Sequence, residues 1–441
     1  MRTRRFFKAV SPAWAFLLGT MMSVTAQGPP GPPAGAPGDT MKSLQEIWDN
    51  LQVQQAQNVV AHQLTWARLE ALEEQNSAQQ IQLSGLSAVQ QRSSATILHY
   101  ATGGSLPWTI SIIDSEGDVG SSSSLAFDPA GQPAISYRDS TNSELKFARF
   151  NGSSWEIQSA VANGGSHTSL AFGPDGHPAI SHFDVWIGLR LARFNGSSWD
   201  HSTVDSGGDV GRFSSLAFGP EGQPAISYDD NTNGDLKFAR FNGSSWELTT
   251  VDSTVSTTVI GGFSSLAFGP DGQPAISYFD TSAGDLKFSR FNGSSWVISP
   301  PVDSTGNVGH DTSLAFGPDG QPAVSYRDVT NGNLKFARFN GSSWDLTTVD
   351  SSYSVGGFSS LAFGPDGQPA ISYHDYTNSA LKFARFDGSS WVVSPALDSA
   401  GFVGQETSLC FGSDGLPAIS YFDSTNDDLK FARMGPFISP P

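Results

Sequence analysis

A set of side chains suited to holding a polar ligand recurs at one place along this chain. Seven times an aspartate closes a short apolar segment, at Asp139, Asp184, Asp230, Asp280, Asp328, Asp375 and Asp423. The residue in front of each is free to vary: Arg138, Phe183, Asp229, Phe279, Arg327, His374 and Phe422. A second variable set holds His167, Arg212, Phe213, Phe263, His310, Asp311, Phe358, Gln405 and Glu406, just ahead of a recurrent Ser-Leu-(Ala/Cys)-Phe. Flat aromatic rings mixed with Arg, His and carboxylates suit a sugar or another polar ligand, stacked on its face and hydrogen-bonded at its edge. The same rings would also fill a mouth with their own bulk, and both readings stand at this point.

The second copy of the pattern departs most. It has His177 where others mostly have Gln, His182 where they have Tyr, and Val185-Trp186-Ile187-Gly188 where they have a polar loop. Trp186 is a candidate ligand platform or a contact for the helical segment expected at residues 41–92; the plain alternative is a cap on its own unit. Candidate ligand-binding residues are therefore Trp186, His182, Phe183, Arg138, Arg327, His374, Arg212 and His310. For catalysis the sequence offers little. Asp311 and Glu406 are carboxylates on the variable side, in the fifth and seventh copies, which are not adjacent. A glycosidase pair there lacks support. There is no phosphate-binding loop, zinc-spaced His pair, nucleophile elbow or cofactor fingerprint, so no catalytic residue, metal or cofactor is assigned. The seven aspartates sit one per copy; capping a turn through their own backbone explains them better than convergence on one Ca²⁺.

What positions these residues is a repeat. The Ser-Leu-(Ala/Cys)-Phe anchor returns at Leu125, Leu170, Leu216, Leu266, Leu314, Leu361 and Leu409, every 45–50 residues. Each copy reads as four short strands: the anchor; Pro-Ala-Ile-Ser-Tyr after a Gly-Pro-Asp-Gly turn; Leu-Lys-Phe-Ala-Arg-Phe; and a strand opened by Trp after Asn-Gly-Ser-Ser. Pro presets φ, Asp caps locally, Gly takes positive φ, and Asn-Gly favours a tight type I′ hairpin. Four antiparallel strands at this period predict an all-β propeller of seven blades. The last copy stops at Arg433 without its Trp strand. The missing strand stands in front of the first copy as Trp108–Asp114, with the Trp-to-Asp spacing of Trp199–Asp205 and Trp246–Asp252. This front strand is expected to complete the last blade and close the ring. Turns after the first and third strands then share a uniform rim, and loops after the second and fourth share the variable one. Loops freed from the frame are where a rigid scaffold carries binding residues.

With 42 acidic and 24 basic residues the net charge is −18, which argues against a nucleic-acid partner. Each copy carries an Arg in the third strand, Arg149 to Arg433, and a Lys or Arg190 three positions earlier. Only Arg138, Arg212 and Arg327 are left outside that frame, and the frame Arg are expected to pair with the recurrent aspartates. Cys410, the single cysteine, replaces Ala in the anchor and reads as a small core residue.

Residues 1–26 read as a secretory signal peptide: basic Arg2, Arg4, Arg5 and Lys8, an apolar stretch, then Val24-Thr25-Ala26. Residues 27–40 read as a Gly/Pro linker, and residues 41–92 as a helical stalk with a broken heptad pattern that would allow homo-oligomerisation. The propeller spans 105–435. No later stretch approaches the ~18 apolar residues of a membrane span. The Asn-Gly-Ser sequences at Asn151, Asn195, Asn242, Asn292 and Asn340 are also glycosylation sequons, although Asp387 keeps the turn without one.

The Gly-Pro-Asp-Gly-Gln-Pro-Ala-Ile-Ser-Tyr and Leu-Lys-Phe-Ala-Arg-Phe-Asn-Gly-Ser-Ser-Trp blocks resemble the repeats of secreted bacterial seven-bladed propellers of uncharacterised role, with a layout similar to NHL-type and lectin-type propellers. Asn-Gly-Ser-Ser-Trp also resembles the Asp-box of sialidases, but Phe150, Phe194 and Phe241 stand where that box needs its Asp, so no sialidase activity is carried over. The expectation is a secreted or envelope-held binding module for a carbohydrate or protein ligand. Rival readings are a secreted glycan hydrolase or lyase on the same scaffold, and a structural or adhesive protein with no small ligand.

Overall fold

The computed structural model describes residues 106–162, 164–253 and 260–435. The signal peptide, linker and stalk expected from the sequence lie outside the described residues.

Those residues form 28 strands in seven four-stranded antiparallel sheets. The first blade is β2 (Val119–Phe127), β3 (Pro133–Asp139), β4 (Glu144–Phe150) and β5 (Trp155–Ala162); the second is β6 (Ser166–Phe172), β7 (Pro178–Asp184), β8 (Gly188–Phe194) and β9 (Trp199–Asp205). The last blade combines β26 (Val403–Phe411), β27 (Pro417–Asp423) and β28 (Asp428–Met434) with β1 (Trp108–Asp114), the front strand. Trp108 pairs with Met434 and Ile112 with Lys430. The ring is a closed seven-bladed propeller.

Neighbouring blades are bonded at three depths. At the hub, the anchor serine of each blade accepts the backbone N–H of the next blade's anchor leucine: Leu170 to Ser124 Oγ at 3.0 Å, and so on to Leu125 on Ser408 Oγ at 3.0 Å. All seven junctions have this bond. Midway, six buried tyrosines donate to an aspartate of the preceding blade, on its outer strand or just beyond it, as Tyr228 Oη does to Asp205 at 2.7 Å. A third-strand lysine reaches the same carboxylate, such as Lys237 on Asp205. At the outside, the fourth-strand Trp of six blades sits edge-on against a third-strand ring of the preceding blade, as Trp108 on Phe383 at 5.2 Å and Trp155 on Phe431 at 5.3 Å; Trp246 packs in a cluster with Leu191. A lone blade leaves both faces uncovered, so packing is between blades, as stacked repeats require.

Two expectations need correction. The third-strand arginines pair with the carboxylate of the first turn, not with the recurrent aspartates: Arg290 meets Asp271 at 3.0 Å and Arg385 meets Asp366 at 2.7 Å. Register is the reason, because Arg290 lies opposite Ala275 near that turn while Lys287 lies opposite Tyr278 at the other end. The Asn-Gly segments are not two-residue type I′ hairpins. Asn292-Gly293-Ser294-Ser295 is a four-residue loop in which Asn292 Oδ1 accepts the N–H groups of Ser294 and Ser295 at 2.9 Å, and only Gly293 has positive φ.

Asp350 illustrates the charge at these junctions. Burial alone would raise its pKa, but hydrogen bonds from Lys382, Ser352 and Tyr373 outweigh that and hold it at about 2. Its folded pKa is below the unfolded ~3.9, so its stabilisation is present above about pH 4 and is lost as pH falls through about 2. Asp350→Asn should therefore be less stable than wild type at pH 6, with the two urea-melt curves converging towards pH 2; a gap constant across that range would refute an ionic tie. For closure, deleting residues 101–115 should lower the melting temperature sharply. Trp108→Ala alone should cost on the order of 3 kcal/mol in urea melts, and an unchanged melt would mean that the front strand does not hold the ring.

Candidate functional site

The junction between the first and second blades breaks the rule that the other six obey. Val161 occupies the outer-strand position of the aspartate, pairing with Leu145 as Asp205 pairs with Leu189. His182 replaces the tyrosine, and Arg190 replaces the lysine. All three members of the tie are changed together. His182 is fully buried and its two ring nitrogens have no hydrogen-bond partner among the described residues. Burial, with the nearby Arg190 charge adding to it, pushes its pKa down to about 4, so the ring is neutral at ordinary pH. Arg190 is left with Asp184, at 3.6 Å, the recurrent aspartate that Lys146, Lys237, Lys287, Lys382 and Lys430 also reach in their own copies.

On the variable rim above this junction is a recess of about 410 Å³. Arg138 comes from the end of β3, and Phe183, Asp184, Val185 and Trp186 from the end of β7 and the turn after it; Ser143, Gly164 and Ser166 complete the lining. The turn is one residue shorter than its counterparts, since Asp184 pairs with Gly188 whereas Asp230 pairs with Asp235. Asp184 shapes it by accepting Trp186 N–H on Oδ1 at 2.9 Å and Ile187 N–H on its carbonyl at 3.2 Å. Gly188 has φ +113°, and a Cβ there would lie 2.5 Å from the Asp205 carbonyl oxygen, so no other residue fits. The turn leaves the Trp186 side chain 87% exposed, with Val185 beside it at 70%. Gly164 brings the floor close to the buried histidine; a Cβ on it would stand 3.2 Å from His182 Cε1. Arg138 Nη1 donates to Ser166 Oγ.

Of the eight residues expected at a ligand site, Trp186, Phe183 and Arg138 thus line one recess. His182 lies behind its floor, not on its surface. Arg212 stacks its guanidinium 5.0 Å from the centre of the Phe183 ring and pairs with Asp209 at 3.1 Å. The other three belong to the fifth and sixth blades. Arg327 lies 4.2 Å over Tyr376 and donates to Ser354 Oγ at 3.3 Å; His374, buried, donates from Nδ1 to the Val403 carbonyl at 3.0 Å. His310 stacks against Phe279 at 4.0 Å. The sequence reading missed Val161 and Gly164. Val161 was visible as the one Trp-plus-six position that is not acidic where the spacing holds, but its meaning needs the tyrosine of the next copy.

The hub itself is lined by one left-handed residue per blade: Ser122, His167, Phe213, Phe263, Asp311, Phe358 and Glu406, with φ of 47–56°. They surround a central cavity of about 290 Å³. Burial pushes the Asp311 carboxyl up to about 6 and raises that of Glu406 as well. Each accepts a backbone N–H from the next blade, Glu406 from Ser122 and Asp311 from Phe358. That bond gives both carboxylates a structural task. The recurrent aspartates cap turns: Asp139 takes Asn142 N–H at 2.8 Å and Asp328 takes Asn331 N–H at 2.9 Å. Among the described residues no group of His, Cys, Asp or Glu is arranged to hold a metal.

No protein-family model matches the chain, and no curated protein matches it in sequence. Several solved structures resemble the chain at low identity. The fungal lectin of Aleuria aurantia, a six-bladed propeller with fucose recognition, is 15% identical over 63% of this chain and 95% of its own, with a TM-score of 0.45. A PL25 ulvan lyase is 13% identical over 72% and 95%, with a TM-score of 0.50. A protein of unknown function from Dyadobacter fermentans is 11% identical over 75% and 98%, with a TM-score of 0.47. At these identities the likeness is one of fold.

Rebuilding the missing tie tests whether the altered junction is a concession. Val161→Asp, His182→Tyr and Arg190→Lys together should raise stability by about 1–3 kcal/mol in urea melts. A triple variant no more stable than wild type would mean that the junction has been repacked without loss.

Proposed function

We propose that the propeller is a binding module that takes a saccharide in the recess between its first and second blades. The observation that carries this reading is Trp186, an indole 87% exposed at the lip of a recess lined by Arg138, Asp184 and serine side chains. A large exposed ring is costly to keep in water unless something covers it. A pyranose has an apolar C–H face that lies flat on an indole and a rim of hydroxyls that needs donors and acceptors. Arg138 supplies donors, and Ser143 and Ser166 supply both donors and acceptors. The rigid ring holds these groups in place before the ligand arrives, which lowers the entropy cost of binding.

The lectin and the lyase described above act on saccharides by their own descriptions; the present reading rests on the recess and not on them. The basic and then apolar opening of the chain supports extending it to an exported protein, held outside the cytoplasm. An enzyme reading would need a reacting pair, and the buried carboxylates Asp311 and Glu406 are occupied by backbone amides of neighbouring blades.

A glycan array followed by calorimetry on the full chain and on Trp186→Ala tests the proposal. Binding of at least one saccharide, weakened about tenfold or more by the substitution (~1.4 kcal/mol), is the expected result. Saccharide binding indifferent to Trp186 would move the site elsewhere. Product released from a bound saccharide would favour the hydrolase or lyase, and a silent array would leave a protein ligand or an adhesive role.

A further inference from the structure

We infer that the recess beside Trp186 selects saccharides bearing a negative charge, a uronate carboxylate or a sulfate ester, and that Arg138 is the residue that reads that charge. This rests on the saccharide reading above and narrows it to a chemical class.

The propeller has 17 Lys and Arg residues. Its 14 repeat cations each have a carboxylate within ion-pair distance, from Lys146 on Asp114 and Asp139 to Arg433 on Asp414. Arg212, outside the frame, has Asp209. Arg138 and Arg327 make no ion pair among the described residues. In a chain of net charge −18 this is a marked exception, since unused carboxylates are plentiful. Of the two, Arg327 is spent on Tyr376, which its guanidinium faces at 4.2 Å. Arg138 opens on the recess.

Local bonding sharpens the contrast. Asp184, the acid of the recess, already accepts Trp186 N–H at 2.9 Å and has Arg190 at 3.6 Å. Arg138, its base, has a single hydrogen bond among the described residues, from Nη1 to Ser166 Oγ. That bond orients the guanidinium and leaves most of its five N–H donors open. A planar fork of this kind matches a carboxylate or a sulfate through two parallel bonds. The bulk charge of the protein repels anions, but that field is screened over ~8 Å at physiological salt, whereas a contact pair in the recess is not.

Calorimetry on the full chain with two matched pairs of probes tests the inference: a galacturonate trisaccharide against its fully methyl-esterified form, and a sulfated galactose trisaccharide against its desulfated form. At least one charged member should bind about tenfold or more tightly than its neutral partner. The pair showing the preference identifies the anion. Arg138→Gln should erase the preference, and Arg138→Lys should retain part of it, as a point charge without the fork. Because the preference is a ratio within one protein sample, partial unfolding of a variant cancels from it. Equal binding of charged and neutral partners, or a preference that survives R138Q, would overturn the inference and leave saccharide binding standing. No binding of any of the four probes, with a silent array, would overturn both.

Discussion

The bond from each anchor serine to the next blade's anchor leucine fixes everything outside it. It places seven inner strands in one register around the hub, and the closing bond, Leu125 to Ser408, runs between residues 283 positions apart. A serine is suited to that position because it is small enough for the crowded centre and carries an acceptor. A larger residue would spread the strands, and an alanine would strand seven buried N–H groups. From this ring outwards, each layer has more freedom: the tyrosine–aspartate ties next, then the Trp edges, and last the loops. The constraint decays with radius and with distance from the uniform rim.

That gradient explains why the variable site lies where it does. Six junctions spend a buried tyrosine, a lysine and an aspartate on holding two blades together. One junction has surrendered all three, and the recess with Trp186 sits above that one. Losing only one member would leave a buried charge or hydroxyl without its partner, at a cost of about 1–3 kcal/mol. Changing all three removes the aspartate and the hydroxyl together, and Arg190 is left with Asp184. The remaining cost is His182, a neutral ring in an enclosed place. The hub bond between Ser124 and Leu170 persists there, so the blades stay in register while the space above them is reshaped.

Much of this was readable in the sequence because the repeat supplies its own comparisons. Blade number, strand order and the closing role of Trp108–Asp114 follow from periodicity and one spacing. Two local errors have a common source. The Asn-Gly loops and the Arg partners were assigned from adjacency in sequence, whereas the side-chain oxygen of Asn292 and the antiparallel register of Arg290 decided them. The left-handed hub residues were not readable at all: Phe213, Phe263 and Phe358 have no propensity for positive φ, and each sits where its inner strand shifts register against the second strand, as between Arg212 and Ser215. Burial of His182 was implied by its alignment with six tyrosines, but the companion change at Val161 belongs to the preceding copy. A comparison confined to one repeat unit does not see a contact made between two.

The recess therefore differs in kind from the rest of the variable rim. Elsewhere, variable residues are turned to one another: Arg212 covers Phe183, Arg327 covers Tyr376, and His310 lies on Phe279. These contacts lower the cost of exposing rings and charges, and they leave little for a ligand. Among the described residues, Trp186 and Arg138 have no such covering. A short turn fixed by Gly188 and capped by Asp184 holds the indole out, and Ser166 holds the guanidinium in place. An apolar face and a cation, both uncovered and both rigidly held, are complementary to one kind of molecule: flat and weakly apolar on one side, with an oxyanion at its edge.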